Sequence, residues 1–391
     1  MPRLERVFGL SINEEIQWGT ALADLEAGVM HEGYESDILC PIPAGKLPLK
    51  PEDTLFLEQA IADGLNDLHR KRPDIFEETV RIGISCIGVI NRQDRVLVSI
   101  ARKGWVTERN RKGKRPFLVD FKYLCLGGQG KPKLFPRVTH IDQIIAQNDA
   151  SARCLTEYIY GFDKKTRPKS LLYLMAGEGV NGSIVLSGDF PSMIGHPEFG
   201  HCTPQLHPHD KFFDPKNSGC PAHSFCFEGL VSGARFRQEW GRELGQLPSD
   251  HQAWDIAAFY LSQMAMTGTL MLEPERIIFG GEIFYGPKGL SLIERTQDIF
   301  LQLNAGYLPQ LDTLAAVKRL IGRATYGKRV WVMSALTMAS SPGHASTKAV
   351  VSENPPPELP VFPTLHAAQI AENADNVIQL RGHTVRNKVE Q

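Results

Sequence analysis

Residues 80–90, VRIGISCIGVI, are almost wholly apolar and rich in β-branched side chains, the composition of a strand buried inside a sheet. Upstream, after Pro51-Glu52-Asp53, apolar residues recur at helical spacing (Leu55, Leu57, Ile61, Leu65, Leu68) and stop at Arg72-Pro73, predicting a helix with a proline at each boundary. RVFGLSI (6–12) and WGTALADL (18–25) read as strands, with a third at Val29–Glu35. Strand, helix and strand in succession call for an α/β lobe.

At 391 residues the chain is too long for one ordinary core. The expected division is an N-terminal α/β lobe over 1–147, a second α/β lobe over 148–339, and a Pro-rich linker and tail over 340–391. In the second lobe, Asp149–Tyr160 predicts a helix and 170–189 two strands around a glycine-rich turn. Asp250–Leu272 predicts a long, largely buried helix, and 275–281 a short strand running into glycines. The first lobe carries a basic excursion near 107–133, with Arg109, Arg111, Lys112, Lys114 and Arg115. It reads as a solvated loop, the alternative being a mobile clamp on an anionic substrate. Residues 366–380 suit either a short amphipathic helix or a fraying terminus.

A formal charge of −1 gives no general attraction to nucleic acid or anionic membrane. No apolar run reaches membrane-spanning length, and the opening MPRLERVFGLSINEE meets acidic residues too early for a signal peptide. The seven scattered cysteines are an odd number, which favours free thiols or metal ligands in a reducing compartment, the cytoplasm.

The segment GCPAHSFCFEGLVSG (219–233) spaces Cys220, His223 and Cys226 three apart between glycines. Ligands so spaced supply three corners of a zinc tetrahedron. His196, His201, Cys202, His207 and His209 are upstream candidates for the fourth corner, and spacing alone does not choose among them. The same loop is also compatible with two buried thiols and no metal.

GHPEFGH, HPHDKF, GCPAHSFCFEGLVSG and PERIIFGG, in that order, closely resemble the ROK family of sugar kinases and sugar-responsive repressors, in its fructokinase-like branch. The resemblance extends more thinly over roughly residues 5–335. It implies a two-lobed actin-like (ribonuclease H-like) α/β fold with a zinc-binding loop held by His201, Cys220, His223 and Cys226. It also implies a hexose site made of Asn148, Asp149, Glu198, His201 and Glu228. Asp149 would be the general base toward the sugar hydroxyl in transfer from ATP with Mg2+. At a helix start, Asp149 is equally compatible with a plain N-cap. Ser151 departs from the family's N-D-x-N motif. Many relatives are homodimers. The repressor branch carries an N-terminal DNA-binding domain, for which a strand starting near residue 6 leaves no room.

The phosphate side departs further. Where the family has D-x-G-G-T-K, this chain has Ser11-Ile12-Asn13-Glu14-Glu15-Ile16, and where it has G-T-G-x-G-G-G, Gly177-Glu178-Gly179-Val180-Asn181-Gly182-Ser183. Acids in a phosphate cradle are expected to repel the ligand. Asn13, Gly177, Gly179, Gly280 and Gly281 are what remains of the nucleotide site, with Glu282 where a third glycine is common. The sequence thus supports two functions: an ATP-dependent kinase of a fructose-like hexose, or a non-phosphorylating homologue. The latter would be a sugar-binding regulator or an enzyme with other chemistry on a sugar-bearing metabolite. In that last case Glu14, Glu15 and Glu178 would converge with Asp149.

Overall fold

The computed structural model describes residues 3–341 except 14, 42–53, 93, 100–118, 129, 131, 191–196, 211–212 and 221. Glu14, His196, the basic residues 109–115, residues 366–380 and nearly all of the Pro-rich tail lie outside the described residues. The body is one compact unit over Met1–Thr347.

Strands β1 (Leu4–Ile12), β2 (Glu15–Asp24) and β3 (Val29–Pro41) form an antiparallel meander at the positions expected from their alternation. Helices α1 (Thr54–Lys71) and α2 (Pro73–Glu78), the second with its proline in the first turn, lead into β4 (Thr79–Cys86). The apolar run at 80–90 is therefore not one strand. It breaks after Cys86, passes through Gly88 at φ 99°, and re-forms as β5 (Val89–Asn91) in a separate small sheet with β6 (Val96–Ser99) and β7 (Val119–Asp120). Apolarity gave no sign of this turn, because both pieces are buried on at least one side. Next come α3 (Phe121–Leu126), β8 (Ile144–Asn148) and α4 (Asp149–Tyr160).

Among the described residues, the first large sheet runs β3-β2-β1-β4-β8, with β1, β4 and β8 parallel. The second sheet is formed by β9 (Ser170–Ala176), β10 (Val180–Leu186), β11 (Arg276–Gly280) and β12 (Ile321–Arg323), in the order β10-β9-β11-β12. It packs on the core of α5 (Phe227–Val231), α6 (Gly233–Trp240), α7 (Ala253–Leu272), α8 (Gly286–Asn304) and α9 (Leu314–Leu320). No helix among the described residues is long and apolar enough to cross a membrane.

The last described helix, α10 (Val330–Ser340), returns to the first sheet. It can lie close because Gly19, Gly9 and Gly83 stand in register across β2, β1 and β4. A Cβ on Gly83 would fall 1.9 Å from the Ala335 carbonyl oxygen, and one on Gly9 3.0 Å from the Leu336 amide nitrogen. At Gly19 the obstacle is only a Val332 methyl. Gly83→Ala is therefore expected to destabilise the fold by about 1–3 kcal/mol, and Gly19→Ala by less, since backbone cannot yield as a side chain can. Urea unfolding of both variants checks the order.

Candidate functional site

The parallel strands of both sheets point their carboxyl ends at one cleft, the place where open α/β sheets take ligands. Ile12, Cys86 and Asn148 end β1, β4 and β8 in register, so Asn13, Gly88 and Asp149 emerge side by side. From the second sheet, β9 and β11 pair in register up to Met175 and Gly280, and lead to Glu178, Gly179 and Glu282 on the cleft wall, with Gly177 just outside it. The cleft encloses about 110 Å³ and brings together Asn13, Asn148, Asp149, Glu198, His201 and Glu228. Gly179 lies on its wall too, whereas Gly280 and Gly281 line a neighbouring hollow of about 700 Å³ with Tyr285, Arg323 and Lys328.

The junction of β8 and α4 sets the chemistry. Asn148, not Asp149, is the N-cap: its Oδ1 accepts from the Ser151 amide at 3.2 Å. Asp149 occupies the first turn, where its Oδ1 accepts from the Ala150 amide at 2.9 Å and its Oδ2 lies 3.3 Å from Arg153 Nη2. The capping explanation for Asp149 is thereby removed. Its carboxylate is 3% exposed and held from two sides. Ser151, in place of the family's second asparagine, hydrogen-bonds Ser183 Oγ at 3.0 Å and so ties α4 to β10.

The phosphate-side residues are arranged differently from the repulsive cradle their sequence suggests. Glu178 turns toward α6 and pairs with Arg237, which also pairs with Glu243. Arg237 offsets part of its charge, which weakens the repulsion expected of it. Glu15 follows the tight β1–β2 turn and accepts from Gln17 Nε2 at 3.1 Å, while Asn13 forms the cleft wall. The acids that do join Asp149 along the cleft are Glu178, Glu198, Glu228 and Glu282. A Cβ on Gly177 would sit 1.6 Å from a Glu282 carboxylate oxygen, so any side chain there would displace that carboxylate. Gly281, at φ 100°, would place a Cβ 2.1 Å from the Ala176 carbonyl oxygen.

His201, Cys220, His223 and Cys226 gather with their ligand atoms all within 4.8 Å of one another. Of the other candidates for the fourth corner, Cys202, His207 and His209 stand outside this group. His201 Nδ1 lies 3.4 Å from His223 Nδ1, 3.6 Å from Cys220 Sγ and 3.8 Å from Cys226 Sγ. A zinc tetrahedron with ordinary bond lengths has edges of about 3.4 Å between nitrogens and about 3.6 Å between nitrogen and sulfur. The donor set therefore fits the ion.

Hydrogen bonding from Cys226 holds the Cys220 thiol down at about 3, and Cys226 is raised correspondingly. Hydrogen bonding to Cys220 raises His201 to about 8. The loop also aims two cleft residues. His201 turns Nε2 toward Glu198, 3.8 Å away, and Cys226 caps α5, placing Glu228 in that helix's first turn. Glu228 Oε2 accepts from the Val180 amide at 3.2 Å, while its Oε1 is buried without a protein partner. Burial foremost, and then the Cys220 thiolate, push this carboxyl up to about 8.

Sequence motifs passed over Arg153, Arg237 and Trp331. Arg153 left one signal, an arginine one helical turn after Asp149 on an otherwise buried helix face. Arg237 lies four residues beyond the 219–233 motif and Trp331 far from every motif, and neither left a signal.

Fold and cleft define a two-lobed α/β protein of the actin-like kind that sugar kinases use. The ROK family model matches residues 139–326 of this chain. Over 149 residues it is 34% identical to the fructokinase of Zymomonas mobilis subsp. mobilis, covering 38% of this chain and 48% of that protein. The match thus spans about half the length of the curated relative. The fold is shared with the ROK hexokinase of Thermus thermophilus, at TM-score 0.54 and 18% identity, covering 85% of this chain and 97% of the other. It is also shared with a ROK family glucokinase from Streptomyces griseus in complex with glucose and AMPPNP, at TM-score 0.51 and 14% identity, covering 84% and 97%.

Proposed function

We propose that the protein is an ATP-dependent hexose kinase of ROK type acting on a fructose-like sugar. One observation carries the assignment: Asn148, Asp149, Glu198, His201 and Glu228, scattered over 81 positions of sequence, line a single cleft beside the Gly177–Gly179 turn. Asp149 is an anchored carboxylate able to accept a hydroxyl proton as that oxygen attacks a phosphoryl group. Glu198, His201 and Glu228 supply the alternating donors and acceptors that sugar hydroxyls need. Asn13, Asp149 and Glu282 are oxygen donors of the kind magnesium takes, and magnesium bound with ATP would neutralise charge on the phosphates. His201, Cys220, His223 and Cys226 would hold a structural zinc that crosslinks the loop carrying Glu228. Free cysteines among the described residues are in keeping with a cytoplasmic protein.

A second function is favoured by the fixed charges on the phosphate side. Glu282 presses against Gly177, and Arg153 is already paired with Asp149. A sugar-binding protein without phosphotransfer has use for such a cleft. The deciding experiment titrates magnesium ATP into the protein, with and without fructose, beside a phosphotransfer assay over a sugar panel. Turnover supports the kinase. Sugar binding without ATP binding or turnover sinks it and leaves the non-phosphorylating sugar binder.

A further inference from the structure

Arg153 is used by no motif and by no part of the kinase assignment, yet it is 2% exposed and borders the cleft. Its Nη2 serves two partners at once, Asp149 Oδ2 at 3.3 Å and Asn13 Oδ1 at 3.1 Å. Nη1 donates to Met175 Sδ at 2.9 Å, a weak acceptor, and Nε has no acceptor. Burial works to lower the pKa of such a group, but the Asp149 and Glu282 carboxylates outweigh it and hold the pKa raised. A charged, incompletely bonded guanidinium is a poor choice for packing alone, since an apolar residue would fill the same space without desolvating a charge.

Its partners come from separate elements: Asp149 from α4, Asn13 from the turn after β1, and Met175 from β9. Asn13 is itself fixed, its Nδ2 donating to Ser11 Oγ at 2.7 Å. With the Ala150 amide and Asn148 Nδ2 holding Asp149 Oδ1 and Arg153 holding Oδ2, the carboxylate has one orientation, and Oδ2 keeps a lone pair for a ligand. We propose that Arg153 is a positioning residue, which locks the Asp149 carboxylate to the β1–β2 turn so that base and phosphate-side turn meet the ligand as a fixed pair. The inference rests on the kinase role of Asp149.

The test compares full-length Arg153→Met and Arg153→Lys with the unaltered protein. Loss of orientation costs on the order of 100-fold in kcat with the sugar KM changed less than about fivefold, and lysine, which keeps the charge, recovers about tenfold. Unchanged kcat with raised KM, or lysine no better than methionine, would overturn the proposal. Should Arg153→Met fail to fold, Arg153→Lys carries the comparison by itself: kcat lowered at constant KM is the expected result, and unchanged kcat the overturning one. If the unaltered protein transfers no phosphate, the kinase assignment fails separately, and the pairing is then read from melting temperatures. Arg153→Met leaves Asp149 buried without its cation, so Arg153→Met combined with Asp149→Asn should melt above Arg153→Met alone. A double variant melting at or below the single one would show that the two residues do not act as a pair.

Discussion

Asp149→Asn is expected to lower phosphotransfer by a factor of about 100 to 10,000, the range over which a positioned base acts. The substitution keeps shape and keeps an oxygen to accept from the Ala150 amide, but it cannot take a proton from a hydroxyl. It also leaves Arg153 with less compensation, and removing one partner of a buried pair costs about 3–5 kcal/mol. A lower melting temperature is therefore part of the prediction. Kinetics should be measured well below that temperature, with fructose binding followed by calorimetry on the same sample. Sugar still bound and turnover gone would confirm the role of base. Turnover within about threefold of the unaltered protein would remove Asp149 from the chemistry.

Zinc should be present at about one equivalent, and its removal should disable the sugar side of the cleft. Cys226 caps α5 through its sulfur, which accepts from the Gly229 amide at 3.3 Å. His201 and Glu228 are both placed by the loop. Losing the crosslink frees these residues together. Cys226→Ser is expected to retain less than half an equivalent of zinc and to bind sugar 10- to 100-fold more weakly, on the order found when a metal's supporting contacts are lost. Elemental analysis and calorimetry give the two numbers. A metal-free protein with undiminished melting temperature and sugar affinity would show that the cluster is only two thiols and two imidazoles packed together. Hydrogen bonding from Cys226 lowers the pKa of the Cys220 thiol, toward the thiolate form that metal requires.

Legibility from the sequence followed the range of the forces involved. Helix α4 begins at Asp149 and ends at Tyr160 as its periodicity requires, because local apolar spacing and a capping Asn148 suffice. The ligand set Cys220, His223 and Cys226 was legible because a metal loop is compressed into seven consecutive residues. The pairing of Glu178 was not legible because its partner, Arg237, is 59 positions away. The break after Cys86 was invisible since it depends on which strands offer backbone partners to β4, and hydropathy carries no information on that.

By itself the sequence determined the helices and most of the strands, and it singled out, through loop spacing and motif resemblance, residues that the fold gathers in one cleft and one Cys/His cluster. All of these follow from spacing of a few residues or from residue types that chemistry demands. Only the tertiary structure decided that His201 joins Cys220, His223 and Cys226 in one cluster, that Asn148 rather than Asp149 caps α4, and that Arg153 joins Asp149 to Asn13 across 140 positions. Pairings of buried charges are chosen by which chain segments the two sheets bring to their carboxyl ends, and that is a property of the assembled fold.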